Sequence, residues 1–93
     1  MDFTAYDLRI ATVTEAVQQD DALILTLDLG GAERRTDAHI TENYTPEDLV
    51  GRQVVVVTKG PEGGTIVLAA VSPVQGAVLL KPDRPVENGV RVV

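Results

Sequence analysis

Ser72 is the only serine of the chain and His39 its only histidine. They fall in different predicted elements, so a Ser-His-Asp relay has one pairing available and no supporting spacing. A metal site would need His39 together with several carboxylates, and none stands at ligand spacing. Gly60 to Gly64 lacks the Lys and Ser/Thr of a phosphate loop and reads as a hairpin turn. Asp20-Asp21 lies in a polar turn and Glu47-Asp48 opens a helix. Neither pair offers the apolar pocket that raises a carboxyl pKa for acid/base work. The expectation is a protein without catalytic residues, metal or cofactor.

What remains is chemistry of binding. Arg34 and Arg35 lie on opposite faces of one predicted strand, so at most one of them joins a flat patch, and both also fit as solvated or ion-paired residues. Arg52 and Lys59 bracket a run of valines, and strand ends on a barrel sit at its rim. Tyr44, just before a short helix, fits either a stacking surface or an apolar plug at the barrel end. With Phe3, Tyr6 and Tyr44 the only aromatics, the stacking platforms of single-strand binders are largely missing.

These residues need elements to hold them. Leu8, Ile10, Val13 and Val17 follow a two-residue period that changes face once near Ala11, as in a long strand with a bulge or coil. Leu23, Leu25, Leu27 and Leu29 alternate with Ile24, Thr26 and Asp28 as a half-buried strand, and Gly30-Gly31 supplies a tight turn. A third strand runs from about Ala32 to Ile40, with Glu33, Arg35, Asp37 and His39 on its wet face. Val54 to Val57 reads as a strand covered on both sides, Thr65 to Val71 as a fifth, and Ala77 to Leu80 as a further short one.

Between the third and fourth strands, Thr45 caps a helix whose first turn is Pro46-Glu47-Asp48, and Gly51 stops it. About two turns at most, such a helix is unstable alone and must plug something. Five to seven short strands with one small helix give an all-β Greek-key barrel, with the five-stranded OB-fold first and a β-sandwich second.

At 93 residues the chain fits one domain, 1–93, with a small aliphatic core that an extra interface would help. The net charge of -6 divides unevenly, -8 over residues 1–51 and +2 over 52–93. An acidic total is a poor match to a polyanion. The absence of cysteine, of a signal peptide and of any apolar run near ~18 residues makes a soluble, cytoplasmic protein without membrane insertion the expectation.

The strings DLRIATVTEAV, LTLDLG, AHITENYTPEDLVGRQVVVV and VLLKPDRPVENGVRVV resemble the tRNA-binding domain family of small OB-folds, and within it the CsaA-type proteins, described as export-related chaperones. The likeness spans nearly the whole chain. It implies a homodimer, which agrees with a marginal core and a C-terminus rich in valine. Phe3, Leu8, Ile10, Val86, Val90 and Val92 are the residues expected at the interface. It also implies tRNA or another structured RNA as partner, with Arg35, Thr36, His39, Tyr44, Arg52 and Lys59 as the candidate contacts.

The chain departs from the family pattern where Lys59 to Gly64 replaces a longer basic segment and acidic QQDD fills the first loop. These departures favour an alternative reading: a chaperone for extended apolar segments of unfolded or pre-export polypeptide, with RNA binding weakened or lost.

Overall fold

The computed structural model describes residues 6–60 and 63–93. Seven strands and one helical turn follow in the order β1 (Leu8–Gln19), β2 (Ala22–Asp28), β3 (Glu33–Ala38), α1 (Pro46–Leu49), β4 (Gln53–Val57), β5 (Ile66–Val67), β6 (Ala69–Ser72) and β7 (Gly76–Leu79). The first five strands form one antiparallel sheet in the order β3-β2-β1-β4-β5, while β6 and β7 make a separate hairpin. Three meandering strands followed by a fourth that returns beside the first is the Greek-key arrangement. The sheet curls until its edge strands meet, and the Thr36 hydroxyl donates to the Thr65 carbonyl at 2.7 Å across the seam. This is the all-β, OB-type fold expected from the sequence.

Strand β1 explains the curl. Its register against β2 shifts between Val13 and Glu15, a bulge that sharpens the local bend. Before the bulge β1 pairs with β4 from Leu8–Val57 to Thr12–Gln53, and after it with β2 alone. The face change seen in the sequence is real. Ala11 and Val13 point into the core with Leu23, Leu25, Leu27, Ile40, Leu49, Val54 and Val56. Leu8 and Ile10 pair with Val57 and Val55 on the opposite face, since side chains alternate along a strand. Each fully buried leucine of β2 contributes roughly 1.5–3 kcal/mol, so β2 anchors the fold.

The helix is a single turn, shorter than the two turns allowed by its start and stop signals. The Thr45 amide donates to the Asp48 carboxylate at 3.0 Å, and Gly51 ends the turn at φ 91°. That bond, made by backbone N–H to the charged form, lowers the Asp48 pKa. Leu49 is wholly buried in the core, which makes this turn the plug that its length required.

Two differences from the sequence reading have physical causes. The single fifth strand expected over Thr65–Val71 is two strands, because the chain leaves β4 at Leu68. The Leu68 amide still donates to Val55 O, while its own carbonyl accepts from Leu80 N, turning the following residues toward β7. Val90 and Val92 also find a place within their own chain. Ile10 N donates to Val90 O at 3.0 Å and Val92 N to Leu8 O at 2.8 Å, so the tail runs along the free edge of β1. Leu8 and Ile10 are only 7% and 4% exposed as a result of packing inside one chain.

Candidate functional site

A groove of about 700 Å³ opens along the seam where β3 faces β5. One wall is Arg35 to Ile40 and the other is Gly64 to Val67. Among the described residues only the Thr36–Thr65 hydrogen bond crosses the seam, which leaves open strand edges that elsewhere in the sheet are paired. The first hairpin turn borders the groove through Asp21, whose carboxylate lies 3.8 Å from His39 Nδ1. The β4–β5 turn borders it through Gly64. These two loops flank the ligand face of OB-folds in general.

Of the residues expected to bind, Arg35, Thr36 and His39 line this groove together. Its charge is mixed. Asp37 stands between Arg35 and His39, and the imidazole is flanked by the Asp21 and Asp37 carboxylates at 3.8 and 3.9 Å. The groove therefore joins hydrogen-bonding side chains and strand edges with little net positive charge, a surface suited to shape and polar contacts rather than to attraction over distance.

Tyr44 and Arg52 lie apart from that groove and against each other, with the guanidinium 5.9 Å from the ring centroid. Tyr44 is half-buried against the core, and its hydroxyl accepts from Leu79 N at 3.0 Å, tying α1 to the β6–β7 hairpin. Of its two readings in the sequence, plug and stacking surface, the partial burial and the bond to Leu79 favour the plug. Neighbouring Asn43 reinforces the tie, donating through Nδ2 to Gln75 O and Ala77 O at 2.6 and 2.8 Å. Lys59 is exposed in the β4–β5 turn beyond the groove wall.

Of the residues expected at a dimer interface, Leu8, Ile10, Val90 and Val92 lie side by side where the tail runs along β1. Phe3 lies outside the described residues, Leu8 and Ile10 are buried, Val90 and Val92 are half-buried, and Val86 is exposed. The outer face carrying Leu8 and Ile10 continues through Val57 to its β5 partner Ile66, which is exposed, as is Leu80 beside Val55.

A second cleft, of about 530 Å³, lies where the turn Gly51–Gln53 meets the tail segment 81–85. Its lining includes Arg52, Lys81 and Arg84, and only Asp83 is acidic. Sequence reasoning singled out Arg52 but neither Lys81 nor Arg84. The available signal was the net positive charge of residues 52–93, which gave no indication that position 52 meets positions 81–84.

Among the described residues, no group of three or more His, Asp or Glu side chains is arranged to hold a metal, and no helix is long and apolar enough to cross a membrane.

No family model matches the chain. It is 45% identical over 98 residues to the methionine–tRNA ligase of Methanothrix thermoacetophila, a relative of which it spans 14% of the length. The solved structure of the CsaA chaperone from Bacillus anthracis superposes with a TM-score of 0.90 at 35% identity, covering 99% of this chain and 94% of that one. CsaA from Picrophilus torridus gives 0.85 at 25% identity, over 99% and 95% of the two chains. Through these relatives and the fold they share, the chain belongs to the OB-fold tRNA-binding domain family, with the CsaA-type proteins.

Proposed function

We propose that this chain is a single-domain, non-catalytic RNA-binding module of the tRNA-binding type that works as a homodimer. The groove between β3 and β5 carries the reading. It lies on the OB-fold ligand face, is bordered by the two loops that frame that face, and presents Arg35, Thr36 and His39 along one open strand edge. Methionine–tRNA ligases among its relatives support tRNA as the RNA. Lys59, at the mouth of the β4–β5 turn, and Arg52, at the far end, extend the contact to structured RNA held by shape and backbone.

The dimer forms at the exposed margin of the outer face, through Ile66, Leu80 and Val86, with the half-buried Val90 and Val92 beside them. Exposed apolar side chains next to a buried apolar sheet face support this placement. Two copies would double a weak site into a bivalent one. Filter binding of tRNA across salt concentrations tests the reading: saturable binding that weakens with salt is expected, and no saturable binding at any salt rejects it. Light scattering tests the dimer, and a monomer mass at micromolar concentration rejects it.

A second reading is favoured by the β6–β7 hairpin, where Val71 and Val74 are 80% and 92% exposed, and by the CsaA chaperones among the structural relatives. In it the chain shields apolar segments of unfolded, pre-export polypeptide in the cytoplasm. Protection of an aggregating client at stoichiometric dimer is its test, and tRNA binding without protection excludes it.

A further inference from the structure

The chain carries eight Lys and Arg side chains, and three of them, Arg52, Lys81 and Arg84, converge on the cleft between the Gly51–Gln53 turn and the tail. The β3–β5 groove, by contrast, holds one arginine balanced by Asp37. We propose that the Arg52–Lys81–Arg84 cleft is a phosphate-binding site. On the RNA-binding reading above, on which the source of the phosphate rests, it grips the RNA backbone while the groove contacts riboses and bases.

Three observations carry this assignment. The first is charge: within a chain of net charge -6, the cleft lining has three cations against Asp83 alone. Phosphate contacts are the dominant electrostatic term in nucleic-acid affinity, so they belong where positive charge is concentrated.

The second is rigidity. The Arg52 backbone is held on both sides, its amide donating to Leu49 O at 3.0 Å and its carbonyl accepting from Val13 N at 2.9 Å. On the facing side, Gln53 clasps the tail as a strand would. Its Nε2 donates to Val86 O at 2.6 Å and its Oε1 accepts from Val86 N at 3.0 Å. Nε2 also reaches Asn88 Oδ1 at 3.1 Å, which accepts in turn from the Thr12 hydroxyl at 2.6 Å. Pro82 and Pro85 fix φ on either side of Asp83-Arg84, so the two walls are set before a ligand arrives.

The third is availability. Among the described residues Arg84 pairs only with its neighbour Asp83, at 2.7 Å and more than four-fifths exposed on both sides. Such a pair contributes little and yields to a phosphate, which accepts the guanidinium fork through two oxygens.

The test measures tRNA affinity of the full chain against salt, for the wild type, for K81Q/R84Q and for R35Q. Lys81 and Arg84 are exposed and hold no other element, so unchanged thermal unfolding midpoints verify the fold of the double variant. The expected result is affinity at low salt weakened about tenfold or more, and a log K against log salt slope shallower by about 1.4–1.8 for two lost phosphate contacts.

Inorganic tripolyphosphate, followed by amide NMR shifts, separates the sources. It should perturb Gly51 to Gln53 and Lys81, Asp83 and Arg84, and compete with tRNA. Unchanged affinity and slope in K81Q/R84Q, with a loss in R35Q, overturn the inference and leave the RNA-binding reading intact. If wild type binds no tRNA at any salt, that reading fails and tripolyphosphate decides the cleft. Shifts there that vanish in K81Q/R84Q retain a phosphate site, and no shifts overturn it.

Discussion

The two sides of this small barrel are closed by different means. On one side the tail is stitched to β1 and β4 by the Gln53 clasp, the Thr12–Asn88 bond and the backbone bonds of Gly89, Val90 and Val92. On the other, β3 and β5 meet through the Thr36–Thr65 bond and otherwise stand apart around a groove. The lesson is a division of labour. The stitched side holds the curvature of the sheet, so the seam can stay open and offer unpaired strand edges to a ligand.

Breaking the stitched side should therefore cost more than closing or loosening the seam. The largest effect is expected from Gly89→Ala. Gly89 sits at φ 88°, and an added Cβ would run into the Leu29 carbonyl, just as one at Gly30 would run into that of Asn88. The two turns are interlocked. Left-handed backbone plus a backbone clash should lower stability by about 3 kcal/mol, read by urea unfolding; a loss under 1 kcal/mol would show that the turns move apart freely.

Gln53→Ala comes next. It removes the amide that satisfies both polar groups of Val86 and one bond of Asn88, for an expected loss of about 1–3 kcal/mol and an invasion of water between tail and β4. Thermal unfolding with hydrogen exchange at Val86 checks it, and unchanged protection would refute the clasp. Thr36→Val should cost only about 1 kcal/mol, since it removes the hydroxyl that spans the seam. Exchange should quicken in β3 and β5 while β1 and β4 stay protected; uniform loss of protection would mean that the seam is not a separate unit.

The smallest effect concerns Asp7, at the foot of the stitched side. The Thr58 hydroxyl, donating at 2.6 Å, holds its carboxyl below the usual carboxylate range, with Arg9 at 2.9 Å adding to the effect. A pKa depressed on folding gives stability that is present above the unfolded value of about 3.9 and lost as pH falls through the folded one. Asp7→Asn should then flatten the acid limb of the stability curve below about pH 4 and shift stability near neutrality only slightly, because the pair is exposed enough to be screened. A steeper acid limb in the variant would contradict the assignment.

The same contrast decides what could be read from the sequence. The alternating leucines of β2, the Thr45-Pro46 start and the Gly51 stop declared the core strand and the plug, because the signals are local and periodic. The break at Leu68 was hidden, since Thr65 to Val71 is uniformly suited to a strand and only tertiary pairing with Leu80 splits it. The groove was half legible: the alternation of β3 grouped Arg35 with His39, but the Asp21 carboxylate arrives from another hairpin. The basic cleft was not legible at all, because it joins residue 52 to residues 81–84 and the sequence gives no distance between them.

The Gln53 clasp has a further consequence, in time rather than in strength. It links residues 33 positions apart, and the Thr12–Asn88 bond links residues 76 apart. Contacts across such lengths of chain must follow the local hairpins, whose loop closure costs less entropy. The clasp is thus expected to close as a latch after the folding barrier has been crossed. Gln53→Ala should accelerate unfolding and leave the refolding rate nearly untouched, an asymmetry that the two arms of a chevron plot report directly. A slowed refolding arm would place the latch in the nucleus instead. With refolding untouched and unfolding accelerated, the glutamine governs how long each folded molecule lasts rather than how quickly it forms.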